Sequence, residues 1–170
     1  IDSGVNSDHP SFAEVAGDGF VHTNPFGSGV FVGDCAGDFP ELCNNKLIGV
    51  RSYPLVTSIY SDQAVFGPTP PPANGEDYDG HGTHVGATAA GNILFDVDLL
   101  DPPLDAVEGD GNIVADFKFA QLSGVAPRAN VIAYQVCAPG NIDDTYSGCF
   151  TSTIIQAIDD AIADGVIQAL

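Results

Sequence analysis

The chain has 170 residues, 23 Asp and Glu against 4 Lys and Arg, a formal net charge of −19, and 44% hydrophobic residues. That apolar content excludes disorder driven by low hydrophobicity, and the length suffices for one domain with a buried core. An acidic surface of this kind repels phosphate backbones, which excludes a nucleic-acid partner; no membrane partner is expected either, since no apolar run nears the roughly 20 residues of a span and no polybasic segment could hold an anionic bilayer.

The sequence contains no Met, opens on Ile1-Asp2-Ser3-Gly4 and closes on Gly165-Val166-Ile167-Gln168-Ala169-Leu170. It is therefore read as a piece of a larger protein, cut at both ends. In chain order, residues 1–12 read as a strand end followed by a turn. Residues 13–40, rich in Gly and Phe, read as loop with at most one short hairpin. Lys46-Leu47-Ile48-Gly49-Val50 suits a short strand. Residues 53–79, with Pro68, Pro70, Pro71 and Pro72, read as an insertion-like loop. The small residues from Gly82 to Asn92 suit a helix packed closely on its neighbours.

Residues 93–118 carry Asp96, Asp98, Asp101, Asp105, Glu108, Asp110 and Asp116 and read as a second, solvated acidic loop. Residues 129–137 make a buried strand. Thr151 to Asp164 is the clearest helix: Thr151 or Ser152 can cap it, Ile154, Ile158 and Ile162 recur at i, i+4 and i+8, and Gly165 follows. Val166-Ile167 would open another strand. Alternating strands and helices in this order imply an α/β fold with a mostly parallel sheet.

The four cysteines, Cys35, Cys43, Cys137 and Cys149, form no C-x-x-C pair and fit no usual zinc module. One reading is buried thiols in a reducing compartment. The other is a pair of local disulfides, 35–43 and 137–149, each closing a loop that contains Gly and Asp, in an oxidising compartment. Sequence permits three pairings, and the local one is favoured.

Two stretches carry candidate chemistry. Asp2-Ser3-Gly4-Val5, followed by His9-Pro10, places an Asp at the C-terminal end of a strand, where α/β sheets hold functional groups; alone, Asp-Ser-Gly is also a common turn. Asp79-Gly80-His81-Gly82-Thr83-His84 puts a His at the mouth of a helix. The positive end of that helix is expected to disfavour protonation and keep the imidazole a neutral general base. Competing readings are a metal pair, His81 with His84, which lacks an HExxH pattern, and two satisfied core histidines.

Taken in order, Asp2-Ser3-Gly4-Val5 with His9-Pro10, His81-Gly82-Thr83-His84-Val85 and Gly124-Val125-Ala126-Pro127 resemble the subtilisin-like serine peptidases. Cys43-Asn44-Asn45-Lys46-Leu47-Ile48-Gly49, Tyr134-Gln135-Val136-Cys137 and Ser147-Gly148-Cys149 are similar to phrases of that family's larger extracellular members in plants and bacteria. The resemblance implies a partial three-layer subtilisin-like fold, with residues 1–170 as the N-terminal part of the catalytic domain. It implies that Asp2 and His81 are the triad Asp and His and that His84 is structural. An ionised Asp then holds the imidazole's tautomer while the ring takes a Ser proton.

No serine of this chain lies in the family's Gly-Thr-Ser-Met-Ala-like phrase, so the chain alone is expected to be inactive. Ser11 stands where smaller members often carry a calcium-binding Asp, so that calcium site is not transferred. No cofactor is required, and calcium is possible without a named site. The segment 139–148 falls where the family lays its substrate backbone, which makes Asp143, Ser147 and Gly148 candidate substrate contacts; the plain alternative is a disulfide-closed loop. The expected partner is a protein or peptide substrate, and the expected location is extracellular. An alternative function is a peptidase-like module that binds peptide or calcium without turnover, motivated by the missing Ser and by Asp96, Asp98 and Asp101. A zinc hydrolase built on His81 and His84 lacks a third ligand at sensible spacing.

Overall fold

Leu47–Arg51 (β2) is the central strand of a three-stranded parallel sheet, with Val32–Gly33 (β1) on one side and Val131–Tyr134 (β5) on the other. The structure is a computed structural model, and it describes residues 1–100, 113–138, 146 and 148–166. Beyond β5 the chain start adds one further parallel bridge, Asp2 to Gln135. The Asp2 N–H donates to the Tyr134 carbonyl at 2.9 Å and the Val136 N–H to the Asp2 carbonyl at 2.8 Å. The sheet therefore delivers Asp2 to its own edge.

Alternation along β5 sorts the two faces. Val131 and Ala133 pack against Val5, Phe12, Cys35, Leu42, Leu47 and Val50, together with Ala87 of the helix His81–Ala90 (α3). Ile132 and Tyr134 pack with Tyr53, Val136 and Cys137 against Ala157 and Ala161 of the helix Thr151–Ala163 (α4). Helix, sheet and helix make the three layers that the sequence order implies. The small residues of α3 serve the expected close approach: a β-carbon added at Gly124 would lie 2.5 Å from the Ala87 carbonyl oxygen.

Helix α4 differs from its reading in two respects. Its N-cap is Phe150, without a side-chain cap, rather than Thr151 or Ser152. Thr153 Oγ1 instead donates to the carbonyls of Phe150 and Val136 at 2.7 and 3.2 Å, which ties the first turn to the sheet. The buried stripe is Thr153, Ala157 and Ala161, whereas Ile158 and Ile162 are 46% and 72% exposed. Size explains the difference. Alanines let the helix approach Tyr53 and Tyr134, whose bulk already fills the layer. Farther along, Arg51 donates two hydrogen bonds to Asp164, at 2.7 and 2.6 Å, and the Tyr134 hydroxyl donates a third at 2.9 Å. Tyr53 donates likewise to Asp160.

Both expected loops contain regular structure. Between 53 and 79 lie the short helices Pro54–Thr57 (α1) and Gln63–Phe66 (α2), with a 3₁₀ turn between them. Val56, Tyr60 and Asn74 of this stretch are buried, so it is not a purely surface segment. Leu94–Leu100 (β3) and Ile113–Leu122 (β4) pair antiparallel, with Val97 opposite Phe119 and Asp98 opposite Lys118. The acidic count of 93–118 obscured a period of two, in which Phe95 and Val97 alternate with Asp96 and Asp98. Lys118 Nζ meets Asp98 at 3.0 Å. Residues 101–112, including Asp101, Asp105, Glu108 and Asp110, lie outside the described residues, as does Ile167 of the last expected strand.

Both local disulfides form, Cys35–Cys43 and Cys137–Cys149. The second joins the antiparallel pair Cys137–Ala138 (β6) and Gly148–Cys149 (β7).

Two outcomes follow for stability. Phe12→Ala, at a side chain with 0% exposure, lowers unfolding free energy by about 3–5 kcal/mol in a denaturant melt, while Ile162→Ala stays within about 0.5 kcal/mol. Burial opposes ionisation of Asp164, but hydrogen bonds from Arg51 and Tyr134 outweigh it and hold the carboxyl below its usual range. The stability this lends is present above the ordinary Asp value and drains away as pH falls through the folded one. Asp164→Asn therefore flattens the acid limb of a stability–pH curve and weakens the fold at neutral pH.

Candidate active site

The site begins at the sheet edge. Asp2 Oδ1 accepts the Ser3 N–H at 2.7 Å and faces His81 Nδ1 at 2.8 Å, across 79 positions of sequence. With Nδ1 turned to the carboxylate, a neutral ring carries its proton there and leaves Nε2 as the basic nitrogen. The His81 side chain is 66% exposed and that of Asp2 is 22% exposed, so the imidazole stands open to a reactant while its anchor is sheltered.

His81 is the first residue of α3, and the N-terminus of that helix is fully accounted for. An α-helix leaves its first four N–H groups without intrahelical partners. Here the His81 N–H goes to Asp79 Oδ1 at 3.2 Å, and the Gly82 N–H to Ser3 Oγ at 2.8 Å. The Thr83 N–H goes to Asp77 Oδ2 at 2.8 Å, and the N–H of the N-cap Gly80 to Asp77 Oδ1 at 2.8 Å. Gly80 holds a left-handed φ of 96°, which suits a residue without a β-carbon.

Acidic partners set the electrostatics. The His81 pKa is raised from its ordinary value, chiefly by the hydrogen bond to Asp2 and then by the charges of Asp2, Asp79 and Asp77. This corrects the expectation that the helix terminus keeps the ring neutral: a carboxylate at 2.8 Å outweighs a partial charge that the nearby acids already offset.

Behind the pair, the buried Gln135 donates through Nε2 to the carbonyls of Ser3 and Glu76 at 3.2 and 2.7 Å, which holds the strand end against the approach to α3. A shallow apolar cavity beside Asp2 is lined by Ile1, Val136, Ile154, Ile158 and the Cys137–Cys149 disulfide.

The remaining candidates fall out as follows. His84 is exposed, as is His81, which removes the reading of two core histidines. Among the described residues, no group of three or more His, Cys, Asp or Glu side chains is placed to hold a metal ion. His9 caps the turn Pro10–Phe12 by accepting the Ser11 N–H. Gly148 lies exposed in β7, whereas Asp143 and Ser147 lie outside the described residues. Sequence reasoning missed Ser3, Asp77 and Gln135. Acids shortly before a helix-opening His were the available signal for Asp77; nothing local marks Gln135, whose role depends on three segments meeting.

A family model described as the Subtilase family matches residues 1–167. The chain belongs to the subtilase family. Among curated relatives from Arabidopsis thaliana, subtilisin-like protease SBT4.13 is 35% identical over 166 residues, covering 98% of this chain and 16% of that protein. Subtilisin-like protease SBT1.4 is 29% identical over 169 residues, covering 98% of the chain and 18% of the relative. Subtilisin-like protease SBT1.7 is 36% identical over 126 residues, covering 74% of the chain and 14% of the relative. The subtilase segment thus spans about a sixth of the length of these relatives.

A raised folded pKa means that the His81–Asp2 pair stabilises fully below the ordinary His value and ceases to do so as pH rises through the folded value. A ¹⁵N-resolved titration of His81 should give a midpoint above 6.5, and Asp2→Asn should move it down while leaving the fold intact.

Proposed function

We propose that the protein containing this segment is a secreted serine endopeptidase, in which Asp2 orients His81 and His81 acts first as general base and then as general acid. The observation that carries this reading is the 2.8 Å contact between Asp2 and His81 Nδ1, the two residues to which the motif resemblance gives the triad roles. In the proposed cycle, Nε2 takes the proton of a serine hydroxyl as its oxygen attacks the scissile carbonyl. The ring then gives that proton to the leaving amine, and the imidazolium between these steps is stabilised by Asp2. Water, activated by the same nitrogen, releases the acyl group. This chemistry calls for no cofactor.

The nucleophile is assigned to a part of the protein other than these residues. Ser3, the serine beside Asp2, is committed elsewhere: its hydroxyl donates to Asp77 Oδ1 at 2.9 Å and accepts the Gly82 N–H. The substrate would be a protein or peptide, its backbone laid along the segment 139–148. The Cys137–Cys149 disulfide and the β6–β7 pair hold both ends of that segment. Two disulfides support an extracellular or other oxidising location. No helix among the described residues is long and apolar enough to cross a membrane.

Kinetics on the full-length protein test the reading. His81→Ala should lower kcat on a peptide substrate by a factor on the order of 10⁴ to 10⁶, and a fluorophosphonate should label one serine in the native protein only. The 170-residue chain alone should take no label. Undiminished hydrolysis by His81→Ala, or covalent labelling of the isolated chain, would overturn the assignment.

A further inference from the structure

The Asp77 carboxylate collects five donors from two segments that have to be held in register. Its Oδ1 accepts Ser3 Oγ at 2.9 Å, the Asp79 N–H at 3.1 Å and the Gly80 N–H at 2.8 Å. Its Oδ2 accepts the Thr83 N–H at 2.8 Å and Thr83 Oγ1 at 2.6 Å. The two hydroxyls continue the network: Ser3 Oγ accepts the Gly82 N–H at 2.8 Å and Thr83 Oγ1 accepts the Asn6 N–H at 2.8 Å. Ser3 follows Asp2 in the chain, and Gly82 follows His81. The residues that neighbour the acid and the base are thus bonded to each other, and one of them is bonded to Asp77.

We infer that Asp77 is a positioning residue, which sets the distance and orientation between Asp2 and His81 through Ser3 on one side and Thr83 on the other; this rests on the reading of His81 as the base. Only an acceptor on both oxygens satisfies five donors, so an amide would turn its NH₂ toward at least two of them. Burial opposes charge on Asp77, but the hydrogen bonds from Thr83, Gly80 and Ser3 outweigh it and hold the carboxyl below its usual range. A plain helix cap needs neither Ser3 nor a contact with the strand that carries Asp2. The Ser3 arm is what turns a cap into a link between the two functional residues.

Two variants in the full-length protein test this, with His81→Ala as control. Asp77→Asn should lower kcat by about 10- to 100-fold with KM within about twofold, the signature of misplaced groups rather than lost binding. Ser3→Ala should act in the same direction while leaving the Thr83 and Gly80 contacts of Asp77 in place. It removes no charge, so a fall of the His81 titration midpoint toward 6.5 reports a loosened Asp2 hydrogen bond and not a lost electrostatic neighbour. Should Asp77→Asn fail to fold, Ser3→Ala decides. If Ser3→Ala lowers only the melting temperature and leaves kcat and the His81 midpoint unchanged, Asp77 is a cap and the proposal falls. If His81→Ala retains activity, the base assignment falls, and the His81 midpoint in Ser3→Ala still tells whether Asp77 holds the pair.

Discussion

A β-carbon placed on Gly82 would lie 2.3 Å from the Gly4 carbonyl oxygen, and one on Gly4 would lie 2.7 Å from that of Gly75. These backbone contacts join the chain start, the approach to α3 and α3 itself without an intervening side chain. Gly4 also holds a φ of 126°, where L side chains are strained. Asp2 and His81 sit one or two residues from this junction, so main-chain contact sets how closely their two segments approach. The sheet supplies one half of the constraint by seating Asp2 on Gln135, and the capped terminus of α3 supplies the other.

The distribution of cations follows a related economy. With only 4 Lys and Arg, each one has a defined partner. Arg51 fixes α4 through Asp164, Lys118 meets Asp98 across the hairpin, and Arg128 pairs with Asp18 while lying 4.0 Å over the Phe20 ring. Lys46 is buried, donates to the carbonyls of Pro127 and Ala129, and has its pKa lowered to about 8 by burial. Four cations against 23 acidic side chains leave most of the negative charge uncompensated by Lys or Arg.

Much of this was legible in the sequence, for identifiable reasons. Asp2, His81 and the two local disulfides were readable because motif order and short loop closure are local properties. Strand β5 and helix α4 were readable as elements from apolar runs and a helical period. The face that α4 buries was legible only in part: Ile154 packs against the core, but Ile158 and Ile162, more hydrophobic than Thr153, Ala157 and Ala161, are exposed while that smaller set meets the Tyr53 and Tyr134 layer. The β3–β4 hairpin was hidden because charge count drew attention away from alternation. The His81 electrostatics were misjudged because the helix end was visible in sequence, whereas the carboxylate facing the ring came from another part of the chain. Asp77 illustrates the general limit: its donors span Ser3 to Thr83, and no window of sequence contains them all.

The fate of those four cations has a practical consequence for proteolysis. A trypsin-like enzyme cleaves after Lys or Arg and needs several residues of extended, accessible backbone around the bond. Lys46 is buried, Arg51 and Lys118 belong to strands, and Arg128 is held by an ion pair. Cuts after the buried Lys46 and after Arg51 in the central strand therefore wait for local or global opening of the chain, whereas Arg128, exposed in the turn before β5, stays within reach. Cleavage after Lys46 then reads unfolding directly, and the scarcity of Lys and Arg limits how many other cuts a trypsin-like enzyme can make.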